Sequence, residues 1–332
     1  MCNGATVAAF EREFAAYVGA KYAIACANGT VTLQGALAAN NVRRIVVPPL
    51  TMAATTIAAL NVGVEVVFGD VDEKTWTLKP DLDSCNMPVS LYGLGVPWCG
   101  SADIDDAAQT MRPHSGAVFT SYSFQASKIL STGEGGMLVT DSEDLAAGAR
   151  SYLSLGYRMR ADQARIDPAE IKAPTYTRHH LTHSINGRMN DTTAMLGLMR
   201  LARVGEKLLD RREAADLYRN AIAGVEWLVP QFVPEGWQHD YWAYSVACDT
   251  PERAARLADA VVAHGGERPY GCWRLTYAEP AFKHLASPCP TAESLQPRLL
   301  QFQTNHLVDA ERNARALRAA IGDVFLRPTA SV

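Results

Sequence analysis

Seven short apolar runs that do not alternate with polar residues recur through the first 140 residues. They are Tyr22–Cys26, Ile45–Val47, Val64–Phe68, Met87–Leu91, Ala102–Ile104, Val118–Tyr122 and Met137–Thr140. A strand without polar alternation has two faces to bury, so it belongs in a sheet covered on both sides. Helical patterns separate the runs. Val7, Phe10, Phe14 and Val18 recur at helical spacing and predict a helix over 5–18; residues 31–39, 51–61 and 142–153 read the same way. Strands and helices in this order predict an α/β unit with a mostly parallel sheet. Residues 190–222 are strongly helical and can bridge two domains, and from about Gly224 the pattern is mixed. A chain of 332 residues has room for two domains. We divide it into a large unit, 1–205, and a smaller α+β unit, 206–332.

Composition narrows the function classes. Apolar residues make up 48% and charged residues 20%, and the net charge is −4. That balance leaves no basic surplus for binding nucleic acid without sequence preference. No apolar run reaches the ~18–20 residues of a membrane span. Residues 1–30 lack a basic start and an apolar signal core, so no export signal is expected. The seven cysteines are scattered and contain no CxxC, which predicts reduced, buried thiols in a cytoplasmic protein.

Three features together suggest chemistry. Asn28-Gly29-Thr30 lies between a strand and a helix, where backbone N–H groups and a hydroxyl can cradle a phosphate. No GxGxxG follows a strand, so a dinucleotide fingerprint is absent. Ile104-Asp105-Asp106-Ala107-Ala108-Gln109 lies at a strand end, where α/β sheets bind ligands. Asp103, Asp105 and Asp106 lack the further ligands a divalent metal needs, and His179, His180 and His183 have no Cys or carboxylate beside them. The third feature is SYSFQASKILSTGEGGML, residues 121–138. Lys128 sits there between apolar Phe124 and Ile129-Leu130, and a desolvated amine is the nucleophile that forms Schiff bases. Phosphate cradle, strand-end carboxylate and loop lysine, in that order, match the needs of pyridoxal phosphate.

The chain resembles the DegT/DnrJ/EryC1/StrS sugar aminotransferases, pyridoxal phosphate enzymes of the aspartate aminotransferase fold. The resemblance spans about residues 3–325. It is carried by FEREFAAYVGAKYAIACANGT, VVPPLTMAATTIAAL, VVFGDVDEKTWTL, IDDAAQ, SFQASKILSTGEGGMLVT and SINGRMNDTTAMLGL. It implies a large domain with a mostly parallel seven-stranded sheet and a smaller C-terminal α+β domain. It implies that Lys128 is the Schiff-base lysine and proton shuttle, that Asp106 pairs with the pyridinium nitrogen, and that Gln109 lies near the phenolic oxygen. Gly29, Thr30 and Ser123 would bind the phosphate. Asn186 would reach the phosphate of a neighbouring subunit's cofactor, and Arg188 would bind the donor carboxylate, which implies a homodimer with shared active sites. Arg274 and Tyr277 fall where relatives line the acceptor pocket. The implied reaction is a ping-pong transfer from an amino acid, usually L-glutamate, to a keto sugar. GEGG after the lysine resembles members acting on 4-keto sugars and cyclitols, and SFQ before it resembles aminocyclitol and aminoshikimate types.

The chain also departs from the family pattern. It begins close to the family's TxG turn, here Asn3-Gly4, without the segment that usually precedes the first helix. Met52 stands where an aromatic residue usually stacks on the pyridine ring, and Ser90 replaces a frequent His. Between Leu91 and Ala102 relatives have a crossover helix. Ten residues, 92–101, remain for a connection that ordinarily takes a dozen or more. This predicts a stretched loop, one sheet face less covered, and either lower stability or a compensating contact. Two rivals follow. A dehydratase on the same fold would replace the lysine, and Lys128 argues against it. A pseudoenzyme with a binding role would not need Lys128, Asp106 and Asn186 together.

Overall fold

The computed structural model describes residues 4–81, 83–97, 103–114, 116–162 and 180–326. The N-terminal part contains α1 (Ala5–Val18), β1 (Tyr22–Cys26), α2 (Gly29–Ala39), β2 (Arg44–Val47), α3 (Ala54–Asn61), β3 (Glu65–Phe68), β4 (Ile104–Asp106), β5 (Phe119–Ser123), β6 (Gly136–Thr140) and α4 (Glu143–Leu153). Bridges from Val46 to Asn86 and from Val89 to Asp106 insert the 86–89 segment between β2 and β4. Across the sheet the order is therefore β3, β2, 86–89, β4, β5, β6, β1. The ladder is parallel except at β6, which runs antiparallel to both β5 and β1. The sequence gives no sign of this reversal, because β6 is apolar on both faces like its parallel neighbours.

Both faces are indeed buried. In β1, Ile24 and Cys26 pack into one core with Leu33, Leu37 and Phe119. Ala23 and Ala25 pack into another with Phe10, Phe14 and Tyr122. The apolar stripe of α1 covers that second face. The bidentate pair between Arg150 and Glu11, at 2.8 and 2.9 Å, ties α4 to α1 through the core.

The strand expected at Ala102–Ile104 lies at Ile104–Asp106 instead. Acidic residues occupy it because each carboxylate has partners. Asp105 pairs with Arg112, and Asp106 accepts from Thr55. The helical stretch 190–222 is two helices, α5 (Asp191–Leu201) and α6 (Val204–Ala221). Beyond them lies a second sheet of order β7 (Leu228–Pro230), β8 (Ala243–Cys248), β10 (Leu299–Gln303) and β9 (Tyr270–Gly271). Helices α7 (Pro251–Ala263) and α8 (Ala310–Leu326) cover it, with Leu257, Val261 and Leu317 against Val246 and Phe302.

The shortened connection after residue 90 does not leave a bare face. Leu91, Tyr92, Leu94 and Val96 are buried, and a strap from the C-terminal part crosses them. Asp240 N–H donates to Gly93 O at 2.9 Å, and Gly95 N–H donates to Gln238 O at 2.9 Å. Gln231 Nε2 donates to Thr75 O at 2.8 Å and Leu91 O at 3.3 Å. Asp240 Oδ2 accepts from Thr110 Oγ1 and from Met111 N–H. The expected compensating contact is this strap. Residues 98–102, in the rest of the connection, lie outside the described residues.

Candidate active site

One cavity of about 750 Å³ lies where the large sheet meets the second sheet. Gly29, Thr30, Met52, Asp106, Ser123 and Lys128 all line it. Its floor is the start of α2. Asn28 caps that helix, its Oδ1 accepting from Val31 N–H at 2.9 Å. A Cβ at Gly29 would lie 2.7 Å from Ser123 Cβ and 3.0 Å from its Oγ. Only a glycine lets the helix start approach the end of β5 this closely, which leaves backbone N–H groups beside a hydroxyl.

Asp106 ends β4 and is buried. Its Oδ2 accepts from Thr55 Oγ1 at 2.8 Å and its Oδ1 from Ala108 N–H at 3.2 Å. Burial pushes its pKa up, and those two donors and the Lys128 charge partly offset the rise. For Lys128 burial pushes the amine down, opposed by Asp106. Each charge is thus desolvated and felt by the other. Lys128 sits on the connection between β5 and β6, on a turn closed by its own N–H donating to Gln125 O at 2.9 Å.

These features fit pyridoxal phosphate. The glycine cradle at a helix start suits the phosphate. The buried carboxylate with neutral donors suits a protonated ring nitrogen, and the desolvated amine suits an aldehyde.

Most other residues singled out in the sequence fall outside the cavity. Gln109 does not line the cavity; its Oε1 accepts from Tyr92 N–H at 2.5 Å and holds a left-handed residue, φ 60°, at the connection. Tyr277 is buried against Phe68, and its hydroxyl donates to Glu293 at 2.8 Å, so its polar end is already committed. Asn186 is exposed, with its backbone bridged to Ser154. Arg188 bridges Cys26 behind the Asn28-Gly29 turn, and its buried Nη1 has no hydrogen-bond partner among the described residues. Met52 is 52% exposed at the cavity rim. His180 Nδ1 meets Leu155 O, and His179 lies outside the described residues.

Three residues at the site were given no role in the sequence reading. Thr55 holds Asp106. Trp242 and Trp273 stack at 6.0 Å and 22° and line the cavity from the second sheet. Nothing local marks them, because Thr55 meets Asp106 and Trp242 meets Lys128 only through the packing of distant parts of the chain.

A second cleft of about 470 Å³ shares Gln125, Ser127, Lys128, Gln303 and Asn305 with the first. Arg200, Arg203, Lys207 and Arg211 wall it. Burial, and then the charges of Lys207, Arg211 and Arg200, push the His306 imidazole down.

The DegT/DnrJ/EryC1/StrS aminotransferase family profile matches residues 1–83 and 108–319. The break at 84–107 contains the shortened connection and also Asp106, whose place rests on geometry. The spore coat polysaccharide biosynthesis protein SpsC of Bacillus subtilis is 30% identical over 79% of this chain and 73% of its own length. The GDP-perosamine synthase of Caulobacter vibrioides is 30% identical over 73% of this chain and 69% of its own. Among solved structures, the Streptococcus pneumoniae protein Spr1654, described as a sugar aminotransferase, superposes in its PLP form with a TM-score of 0.82. It is 17% identical and covers 98% of this chain and 93% of its own.

Proposed function

The chain belongs to the DegT/DnrJ/EryC1/StrS aminotransferase family, and on that premise we propose that it aminates a nucleotide-linked 4-keto-6-deoxy sugar with nitrogen from L-glutamate. It is a pyridoxal phosphate-dependent aminotransferase. When bound, that cofactor supplies an aldehyde that exchanges amines and a ring that accepts electron density. Lys128 Nζ would hold the cofactor through its aldehyde, and, when not so engaged, would be the base that takes the proton from the donor carbon. Burial favours this role, since the lowered pKa leaves more of the amine neutral. Asp106 keeps a proton on the ring nitrogen, with Thr55 and Ala108 orienting its two oxygens. Gly29, Thr30 and Ser123 bind the phosphate. From the family resemblance, Arg188 would take the donor carboxylate and Asn186 would serve a second copy in a homodimer; neither lines the cavity within one chain.

The observation that carries this reading is a single cavity lined by a desolvated lysine, a buried carboxylate held by neutral donors, and a helix start open to an anion. The adjoining cleft supports the nucleotide-linked acceptor. Its guanidinium and ammonium groups suit a diphosphate better than a neutral cyclitol.

The test compares a nucleotide-linked 4-keto sugar with an unphosphorylated keto cyclitol, each with glutamate. The linked sugar is expected to be aminated with the higher kcat/KM. Replacing Arg200 and Lys207 together by alanine should raise its KM about tenfold, the scale of one or two lost charge-assisted hydrogen bonds. Equal turnover of the cyclitol, with no effect of the double substitution, would remove the diphosphate reading. Lys128→Ala should abolish amination of either acceptor.

A further inference from the structure

We propose that Trp242 is a positioning residue for Lys128: its indole face holds the Nζ ammonium, and its N–H holds the turn that carries the lysine. The inference rests on the reading of Lys128 as the amine that bonds the cofactor. Lys128 Nζ lies 5.2 Å from the centroid of the Trp242 ring. Trp242 Nε1–H donates to Ser127 O, one residue before the lysine, at 2.8 Å. One side chain therefore grips both the charge and the backbone that presents it.

The grip is rigid. Trp242 stacks on Trp273, and Trp273 stacks on Tyr92 at 6.3 Å and 14°. Tyr92 is anchored through its backbone to Gln109 and through its hydroxyl to Cys272 Sγ at 3.1 Å. The Trp242 carbonyl accepts from Arg211 Nη1 at 2.9 Å. An indole face attracts an ammonium, and the attraction grows where water is excluded. Trp242 thus opposes the burial that drives the amine towards neutrality. It keeps Nζ at one place on the wall instead of leaving a flexible four-carbon chain to wander.

Other groups also bear on Nζ. Asp106 and Glu134 line the same cavity with Tyr270, and Arg200, Arg203, Lys207, Arg211, Asp210 and His306 line the adjoining cleft. All of these remain when Trp242 alone is changed, so the difference between two substitutions at this position isolates the ring face. Trp242→Phe and Trp242→Leu both remove the N–H, but only phenylalanine keeps a π face.

The readout is the reactivity of Lys128 in the full-length chain freed of cofactor, because a bound aldehyde would block the amine. It is followed by competitive acetylation with acetic anhydride across a pH series and peptide-resolved mass spectrometry. The midpoint for Lys128 in Trp242→Leu is expected about half to one pH unit below wild type, the size of one partly desolvated cation–π contact. Trp242→Phe is expected between the two. A leucine midpoint equal to the phenylalanine one overturns the proposal. If the leucine variant does not fold, a phenylalanine midpoint at or above wild type overturns it. A merely structural tryptophan would lower the melting temperature without moving either midpoint. A separate control separates the premise from the inference. Wild-type chain treated with pyridoxal phosphate and borohydride should carry the label on Lys128, and absence of that label rejects the reading of Lys128 itself.

Discussion

Asp106 shows what a single site residue costs the fold. Its carboxylate is buried, and neutral donors rather than a cation hold it. Its folded-state pKa is raised, so the charged form is penalised on folding. An acid shifted upward takes stability away as pH climbs from the ordinary carboxylate value, about 3.9, through the folded value, and the loss is complete above it. Asp106→Asn should therefore raise the melting temperature of the cofactor-free chain at neutral pH by about 1–3 °C, and the gain should vanish in acid. The same substitution should weaken catalysis by removing the proton-holding group. A melting temperature that falls at neutral pH, read by circular dichroism, would contradict the stability argument. Lys128, Asp106 and Gly29 were picked out by short motifs beside their strands and Ser123 by the family resemblance, and all four line one cavity. Trp242 and Thr55 were not picked out, since their partners lie 115 and 51 residues away. Tyr277 was placed by position in the family pattern, and the structure spends its hydroxyl on Glu293.

At the scale of elements, the glycines after Lys128 serve packing as much as turning. A Cβ on Gly136, the first residue of β6, would lie 2.8 Å from both Asn28 C and Asn28 O, and 2.9 Å from Tyr122 O. These are backbone atoms and cannot swing aside. Gly136→Ala should force β6 or the Asn28-Gly29 turn to move. The expected loss is about 1–3 kcal/mol of stability in denaturant titration, with weaker pyridoxal phosphate binding measured by absorbance. Unchanged cofactor affinity would show that the cradle does not depend on this contact. Apolar periodicity placed most strands and helices within one to three residues, because both sheet faces are buried. It could not give strand direction. β6 pairs antiparallel with both β5 and β1 after a twelve-residue connection that carries Lys128, a length that does not by itself fix strand direction.

The whole molecule is closed by contacts between distant parts of the chain. Asp240 anchors the strap by accepting from Thr110 and Met111, which lie 130 and 129 residues away. Asp240→Ala would leave both donors buried without an acceptor, at a cost of about 2–4 kcal/mol. Denaturant unfolding should report that loss, while Asp240→Asn, which keeps one carbonyl oxygen, should recover part of it. Equal stability of the alanine variant and wild type would mean that water serves both donors. Neither the strap nor its target reads as unusual in the sequence; only the short connection after Leu91 hinted that something must cover it. The strap also sets the order in which the chain can become whole. Leu91, Tyr92 and Leu94 leave the ribosome well over a hundred residues ahead of the segment that shields them. During synthesis the earlier half must wait with that apolar surface uncovered until the strap has been made.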